Sequence, residues 1–150
     1  MRFRGFVAVL TVLSCAVATP AVAQAVGALN ATEAEAFAFR RLQSELMVAA
    51  LSCRDTRHHK HYNTFVKRFR PALRTNARVL KAYFTRLHGP MATRKLDDYI
   101  TQLANEASLA SMGDANFCAN ALRRFEAINH IDADQTAGMI VQEADLVFPQ

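Results

Sequence analysis

The sequence predicts an all-α fold, specifically an up-down-up-down bundle of four helices. Apolar side chains recur every three or four residues along four stretches, which is the spacing that lines up one side of an α-helix. No Val-rich alternating run competes with these stretches, and their short connections favour antiparallel neighbours. Cys53 and Cys118 fall at the end of the first helix and the start of the fourth, two ends that meet in such a bundle.

The N-terminal residues have the layout of a secretory signal peptide. Two arginines precede an apolar run from Phe6 to Leu13, and small residues lead up to Ala23. We expect cleavage after Ala23 and export of a soluble periplasmic or secreted protein, because no stretch approaches the roughly 20 apolar residues that cross a bilayer. Lipidation at Cys15, which would tether the chain to a membrane, and an uncleaved anchor are the alternatives.

Length and composition predict a single domain with a mild positive charge. The predicted divisions are a signal peptide (1–23), a flexible N-terminus (24–31), the helical bundle (32–130) and an acidic C-terminal tail (131–150). The formal net charge of +5 falls to +3 when Arg2 and Arg4 leave with the signal peptide. This excess is far below that of a typical nucleic-acid-binding protein.

Cleavage leaves two of the three cysteines, Cys53 and Cys118, in a compartment where disulfides persist. We therefore expect one bridge between them. It would close a loop of about 65 residues and stabilise the fold by roughly 4 kcal/mol at most.

The first helix is predicted to begin at Thr32, because Thr32 and Glu35 have the spacing of a capping box. Its alanine-rich sequence contains neither Gly nor Pro, so we expect it to continue to about Cys53. Residues 54–60 show no apolar periodicity, which indicates a polar connection.

The second helix is predicted over residues 61–87. Its apolar stripe consists of Tyr62, Phe65, Phe69, Leu73, Ala77, Leu80, Phe84 and Leu87. Pro71 lacks an amide proton and crowds the carbonyl four residues back, so we expect a kink or a break between Arg70 and Ala72. Gly89 and Pro90 then end the helix.

The third helix is predicted to begin near Thr93 and to end just before Gly113. The fourth is predicted to start at Asp114, a favourable N-cap residue, and to bury Phe125 on its inner face. After His130 the periodicity weakens, and the tail is compatible with a short helix from Thr136 or with an extended segment.

A dense basic stripe occupies a different phase of the second helix from its apolar stripe. Its members are Lys67, Arg70, Arg74, Arg78 and Lys81. No acidic residue occurs between Asp55 and Asp97, and this segregation is the strongest anomaly of the sequence. Such a stripe could bind anionic lipid, lipopolysaccharide phosphates, another polyanion or an acidic protein. The alternatives are a solvated helix face, whose aliphatic stems cover apolar surface, and a stripe neutralised by the acidic tail.

Nucleic acid is a poor candidate partner. Export argues against it, and the aromatic residues among the basic ones fall on the apolar stripe, where they are expected in the core.

Three histidines, His58, His59 and His61, form a candidate metal site. Imidazoles bind zinc, copper or nickel, but this spacing is unspecific, and the neighbouring Arg57 and Lys60 repel a cation. An exposed polar loop and a pH-responsive role are the alternatives.

No catalytic or cofactor motif is present, and we expect neither an enzyme nor a cofactor. The chain lacks a haem-attachment Cys-x-x-Cys-His, a Gly-x-Ser-x-Gly, a His-Glu-x-x-His and a phosphate-binding glycine loop. A faint likeness to a calcium loop begins at Asp132, but Ala137 replaces the glycine needed for its sharp turn. Asn76 and Glu106 lie beside apolar stripes, where a buried link between helices is favoured over a catalytic pair.

Five short segments carry a resemblance to known proteins. They are residues 46–53 (LMVAALSC), 62–65 (YNTF), 80–84 (LKAYF), 103–108 (LANEAS) and 117–118 (FC). Together they resemble uncharacterised small exported, disulfide-bridged helical proteins of Gram-negative bacteria, which have no assigned function. The resemblance spans residues 42–125 and implies export, helices and the bridge, but no active-site residue.

These observations predict an exported binding or structural protein whose second helix meets an anionic lipid surface or an acidic protein. The alternative is a periplasmic metal-binding protein that uses His58, His59 and His61.

Overall fold

The structure, a computed structural model, describes residues 29–146, and its regular secondary structure in that range is entirely helical. The helices are α1 (Ala31–Ser52), α2 (Thr56–Arg68), α3 (Arg70–His88), α4 (Ala92–Gly113), α5 (Phe117–Asn129) and α6 (Ala137–Leu146), with a short 3-10 turn (Gly89–Met91) between α3 and α4. The all-α prediction is confirmed. The four-helix bundle is not, because the described residues form six α-helices. The predicted signal peptide, the alternative lipidation site Cys15 and residues 24–28 and 147–150 lie outside the described residues.

Helix α1 is the centre of the fold. It packs against α2, α3, α4, α5 and α6, and its Phe39, Leu46 and Ala49 side chains are completely buried. The main core consists of Phe39, Leu42, Leu46, Phe65, Phe69, Phe125, Ile128, Ile140 and Ala144. A second cluster lies near the C-terminal end of α1 and consists of Val48, Ala49, Ala107, Phe117 and Ala121. The other five α-helices thus bury their apolar sides against one alanine-rich helix, a sequence with high helix propensity.

The capping box of α1 lies two residues earlier than predicted. The Asn30 side chain accepts a hydrogen bond from the Glu33 backbone N–H at 2.8 Å, and the Asn30 N–H donates to the Glu33 carboxylate at 3.1 Å. Thr32 and Glu35 have the same spacing, but Asn is at least as good an N-cap residue. Glu33 also pairs with Arg86 of α3 at 2.7 Å, a contact that sequence spacing does not reveal.

The second predicted helix is two helices, and it starts earlier than predicted. Phe69 leaves helical geometry between α2 and α3, and Pro71 lies in the first turn of α3. The missing amide proton costs nothing in a first turn, whereas a kinked continuous helix would lose a hydrogen bond there. The kink at Pro71 is therefore not confirmed, and the break, which was the other expectation, lies at Phe69 rather than between Arg70 and Ala72. The polar connection was predicted too long, because Asp55 caps α2 by accepting a hydrogen bond from the Arg57 N–H at 2.9 Å.

Two further boundaries differ from the predictions. Asp114 is the C-cap of α4 rather than the N-cap of the next helix, and α5 begins at Phe117. As predicted, α3 ends before Gly89, whose φ of +49° suits a residue without a Cβ.

No helix within residues 29–146 has both the length and the apolar character needed to cross a membrane.

The segment predicted as an acidic tail contributes to the core. It contains α6, whose Ile140 and Ala144 side chains are completely buried against the main core. Of the two conformations compatible with the sequence, the structure shows the short helix, one residue after Thr136.

Candidate functional site

A disulfide joins the C-terminal end of α1 to the start of α5. The Cys53 and Cys118 sulfur atoms are 2.08 Å apart, and the two Cα atoms are 5.8 Å apart. This confirms the predicted pair. The bridge holds the second apolar cluster together at one end of the molecule.

His58 is a structural residue rather than part of an exposed loop. Its side chain is buried in α2, with Nδ1 3.0 Å from the Asp55 carbonyl oxygen and Nε2 2.8 Å from the Cys118 carbonyl oxygen. The ring also lies edge-on to Phe125. His58 therefore links the first turn of α2 to the first turn of α5 beside the disulfide. Both ring nitrogens face backbone carbonyl oxygens, which leaves neither directed at a metal.

The other two histidines of the candidate metal site have different surroundings. His59 is exposed, whereas His61 stacks on Phe125 with its Nδ1 3.0 Å from the Asn129 side-chain nitrogen. Within the described part of the chain, no group of three or more His, Cys, Asp or Glu side chains could hold a metal ion. The structure thus places the three histidines on one helix but does not bring them together.

The N-terminus of α2 carries the most perturbed carboxyl group. Arg57 donates its guanidinium and its backbone N–H to the Asp55 carboxylate, and these hydrogen bonds lower the pKa of Asp55 to about 2. The Asp55 carboxyl group is therefore ionised in the folded protein at neutral pH. Its carboxylate forms an ion pair with Arg57, so Arg57 is not one of the unpaired basic residues between Asp55 and Asp97.

The basic stripe predicted on the second helix is exposed to solvent. We call its five residues, Lys67, Arg70, Arg74, Arg78 and Lys81, the basic ridge. All five are exposed, and none makes an ion pair with another described residue. Four of them follow one another along α3 from Arg70 to Lys81, a length of roughly 16 Å at 1.5 Å per residue. The ridge is therefore a row of cations whose counter-charge does not come from within residues 29–146.

Contacts on the opposite side of α3 fix the orientation of the ridge. Leu80 and Phe84 are buried, and the buried Asn76 side chain donates a hydrogen bond to the Ala36 carbonyl oxygen of α1 at 2.7 Å. Arg86 pairs with Glu33 at 2.7 Å. Because polar and apolar contacts both hold this side of α3 against α1, the ridge cannot rotate into the core.

Some of the basic residues between Asp55 and Asp97 have partners within the protein. Arg57 pairs with Asp55, Arg86 pairs with Glu33, and the Arg68 guanidinium donates to the Ile131 carbonyl oxygen. These three have intramolecular roles, which distinguishes them from the five ridge residues.

The acidic C-terminal segment does not neutralise the ridge within the described residues. Helix α6 lies mainly against α1 and α5, and the Asp145 carboxylate lies 3.9 Å from Arg124 of α5. Asp132 and Asp134 are exposed and make no ion pair with the ridge. The alternative in which the acidic tail neutralises the basic stripe is therefore not observed for residues 131–146.

A cavity that the sequence did not reveal lies between α1, α4 and α5. Its volume is about 330 Å³. Its lining residues are Arg41, Glu45, Leu46, Leu103, Glu106, Ala107, Ala110, Asp114, Phe117, Asn120, Ala121 and Arg124. Glu106 was predicted to form a buried link between helices. It does link α4 to α1, by pairing with Arg41 at 3.2 Å, but this ion pair is exposed rather than buried.

Comparisons with protein-family models, curated proteins and solved structures found no match to this chain. The resemblance to exported helical proteins of Gram-negative bacteria therefore stays a prediction.

Proposed function

We propose that the protein is an exported, non-enzymatic binding protein whose basic ridge attaches it to an anionic lipid surface. The observation that carries this proposal is the ridge itself, five exposed cations without a single intramolecular ion pair among the described residues. Four of them project from α3, whose opposite side is held by buried contacts, and Lys67 lies on the preceding helix α2.

The spacing of the ridge is unfavourable unless an anionic partner is present. Arg70, Arg74 and Arg78 are four residues apart on one helix, and like charges at this spacing destabilise a helix by a few tenths of a kcal/mol per pair. A basic residue close to an anionic membrane contributes about 1 kcal/mol, so five would contribute roughly 5 kcal/mol before the cost of immobilisation. An anionic surface therefore offsets a repulsion that the fold leaves uncompensated.

Export and the disulfide support the same proposal. The Cys53–Cys118 bridge is compatible with an oxidising compartment, and the signal-like N-terminus would deliver the chain there. In the periplasm of a Gram-negative cell, phospholipid head groups and lipopolysaccharide phosphates offer the negative charge that the ridge lacks.

Co-sedimentation with vesicles tests the proposal. We expect the purified protein to sediment with vesicles that contain anionic phospholipid, not with neutral ones, and to be released as salt shortens the Debye length from about 10 Å at 0.1 M to 3 Å at 1 M. The variant Arg70→Glu/Arg74→Glu/Arg78→Glu should lose this binding.

A matched control separates the ridge from overall charge. Arg54, Lys60 and Arg94 are exposed, lie outside the ridge and make no ion pair with described residues. Changing all three to Glu alters the net charge by the same amount and should leave most of the binding intact. Equal loss in both variants would show that net charge, rather than the ridge, is responsible. Binding to an acidic protein but to no vesicle would replace lipid by protein as the partner.

A further inference from the structure

We propose that the cavity between α1, α4 and α5 is a binding site for a small organic cation with an apolar body, such as an aromatic or aliphatic amine. This site is separate from the basic ridge, none of whose residues lines it. The proposal therefore does not depend on membrane attachment.

The floor of the cavity suits an apolar body. Five of its residues are buried apolar side chains from all three helices: Leu46, Leu103, Ala107, Phe117 and Ala121. A volume of about 330 Å³ is at the lower end of the range of roughly 300–1,000 Å³ found for small-molecule sites. Enclosing an apolar group of that size would remove its surface from water, which is the main favourable contribution to such binding.

The charged residues that line the cavity determine which charge the polar end of a ligand can carry. Arg41 pairs with Glu106 at 3.2 Å, and Arg124 pairs with Glu45 at 2.6 Å. Both guanidiniums that line the cavity therefore already hold a carboxylate.

Asp114 is the lining carboxylate that has no cationic partner among the described residues. Its Oδ1 accepts a hydrogen bond from the Asn116 backbone N–H at 2.8 Å. This bond fixes the carboxylate at the C-cap of α4 and leaves Oδ2 available to a ligand. Two guanidiniums against three carboxylates also give the lining a formal charge of −1.

A cation fits this arrangement better than an anion does. An ammonium group can bind Asp114 while both existing ion pairs remain in place. An anion would have to displace a carboxylate from Arg41 or Arg124 and would be repelled by Asp114. The ligand class that follows is an amine whose apolar part occupies the floor and whose charged end faces the junction between α4 and α5.

Three probes of similar size test this site, each titrated into the isotope-labelled full protein and followed by NMR. Phenethylamine is the cation, 2-phenylethanol its neutral counterpart and 3-phenylpropionate its anionic counterpart. We expect saturable binding of phenethylamine that shifts the Leu103 and Ala121 resonances. Its affinity should exceed that of the other two probes by about three- to fivefold, the gain expected for an ion pair with an exposed carboxylate.

Two variants assign the binding to the cavity. Asp114→Asn keeps the hydrogen bond to Asn116 but removes the charge, so it should reduce phenethylamine affinity about three- to fivefold and leave 2-phenylethanol affinity unchanged. Asp134→Asn removes an exposed charge outside the cavity and should change nothing. Ala110 lines the cavity yet is exposed, so Ala110→Phe should block all three probes without disturbing the core.

Three results would each overturn the proposal. If none of the probes binds at millimolar concentration, the cavity is only a packing defect. Tighter binding of 3-phenylpropionate, or an Asp114→Asn variant that binds phenethylamine as the wild type does, would reject the cationic ligand. If Ala110→Phe fails to fold, Asp114→Asn still decides the outcome.

Discussion

Opening the disulfide tests the fold at a single, well-defined connection. Changing both cysteines to serine, Cys53→Ser/Cys118→Ser, removes the closure of a 65-residue loop. In the chain-entropy model such a loop restricts the unfolded chain by roughly 4 kcal/mol at 25 °C. The bridge also joins the second apolar cluster, so its loss should loosen the contact between α1 and α5.

Urea denaturation followed by circular dichroism measures this change. For a domain of this size the urea dependence is about 2 kcal/mol per M, so the midpoint should fall by roughly 2 M. Reducing agent should lower the wild-type midpoint by a similar amount and leave the variant unaffected. A difference below about 0.5 kcal/mol between oxidised and reduced protein would refute the loop-entropy argument.

Three further predictions concern single residues. The low pKa of Asp55 supplies stability that is fully present above its unfolded value of 3.8 and is lost as pH falls towards about 2. Asp55→Asn should therefore flatten the pH dependence of the unfolding free energy between pH 4 and 2. An unchanged slope would contradict the low pKa of Asp55. Phe125→Ala removes a completely buried ring and should cost about 3–5 kcal/mol in urea denaturation, so a loss below 1 kcal/mol would contradict its place in the core. Asn76→Ala deletes a buried hydrogen bond to Ala36 and should cost about 1–3 kcal/mol in the same assay, whereas an unchanged midpoint would show that the bond is not needed.

Features that depend on local spacing were predictable from the sequence. The periodicity of α1 and α3, the end of α3 before Gly89 and the pairing of the two cysteines all follow from residue spacing or from the cysteine count. The accessibility of the basic ridge also follows, because its phase differs from that of the apolar stripe.

Features that depend on residues distant in sequence were not predictable. His58 lies in a polar run and becomes buried because α5 supplies Phe125 and the Cys118 carbonyl oxygen. The choice of Asn30 rather than Thr32 as the N-cap coincides with an ion pair between Glu33 and Arg86, 53 positions away.

At two other places the sequence contains a local signal, but that signal is compatible with more than one structure. Asp55 is a favourable N-cap residue, but the absence of apolar periodicity after it obscured the start of α2. The weak pattern after Thr136 permitted a helix, and only the burial of Ile140 and Ala144 against α1 and its neighbours distinguishes that helix from an extended tail.

A pair of fluorescent labels tests the central claim, attachment through the basic ridge, most directly. Ala82 is exposed on α3 beside Arg78 and Lys81, whereas Ala119 is exposed on α5, a helix that makes no contact with α3. We predict that an environment-sensitive dye on Ala82→Cys shifts to the blue with anionic vesicles and not with neutral ones, while the same dye on Ala119→Cys does not respond. A response at residue 119 alone, equal responses at both positions, or none at either would contradict the account.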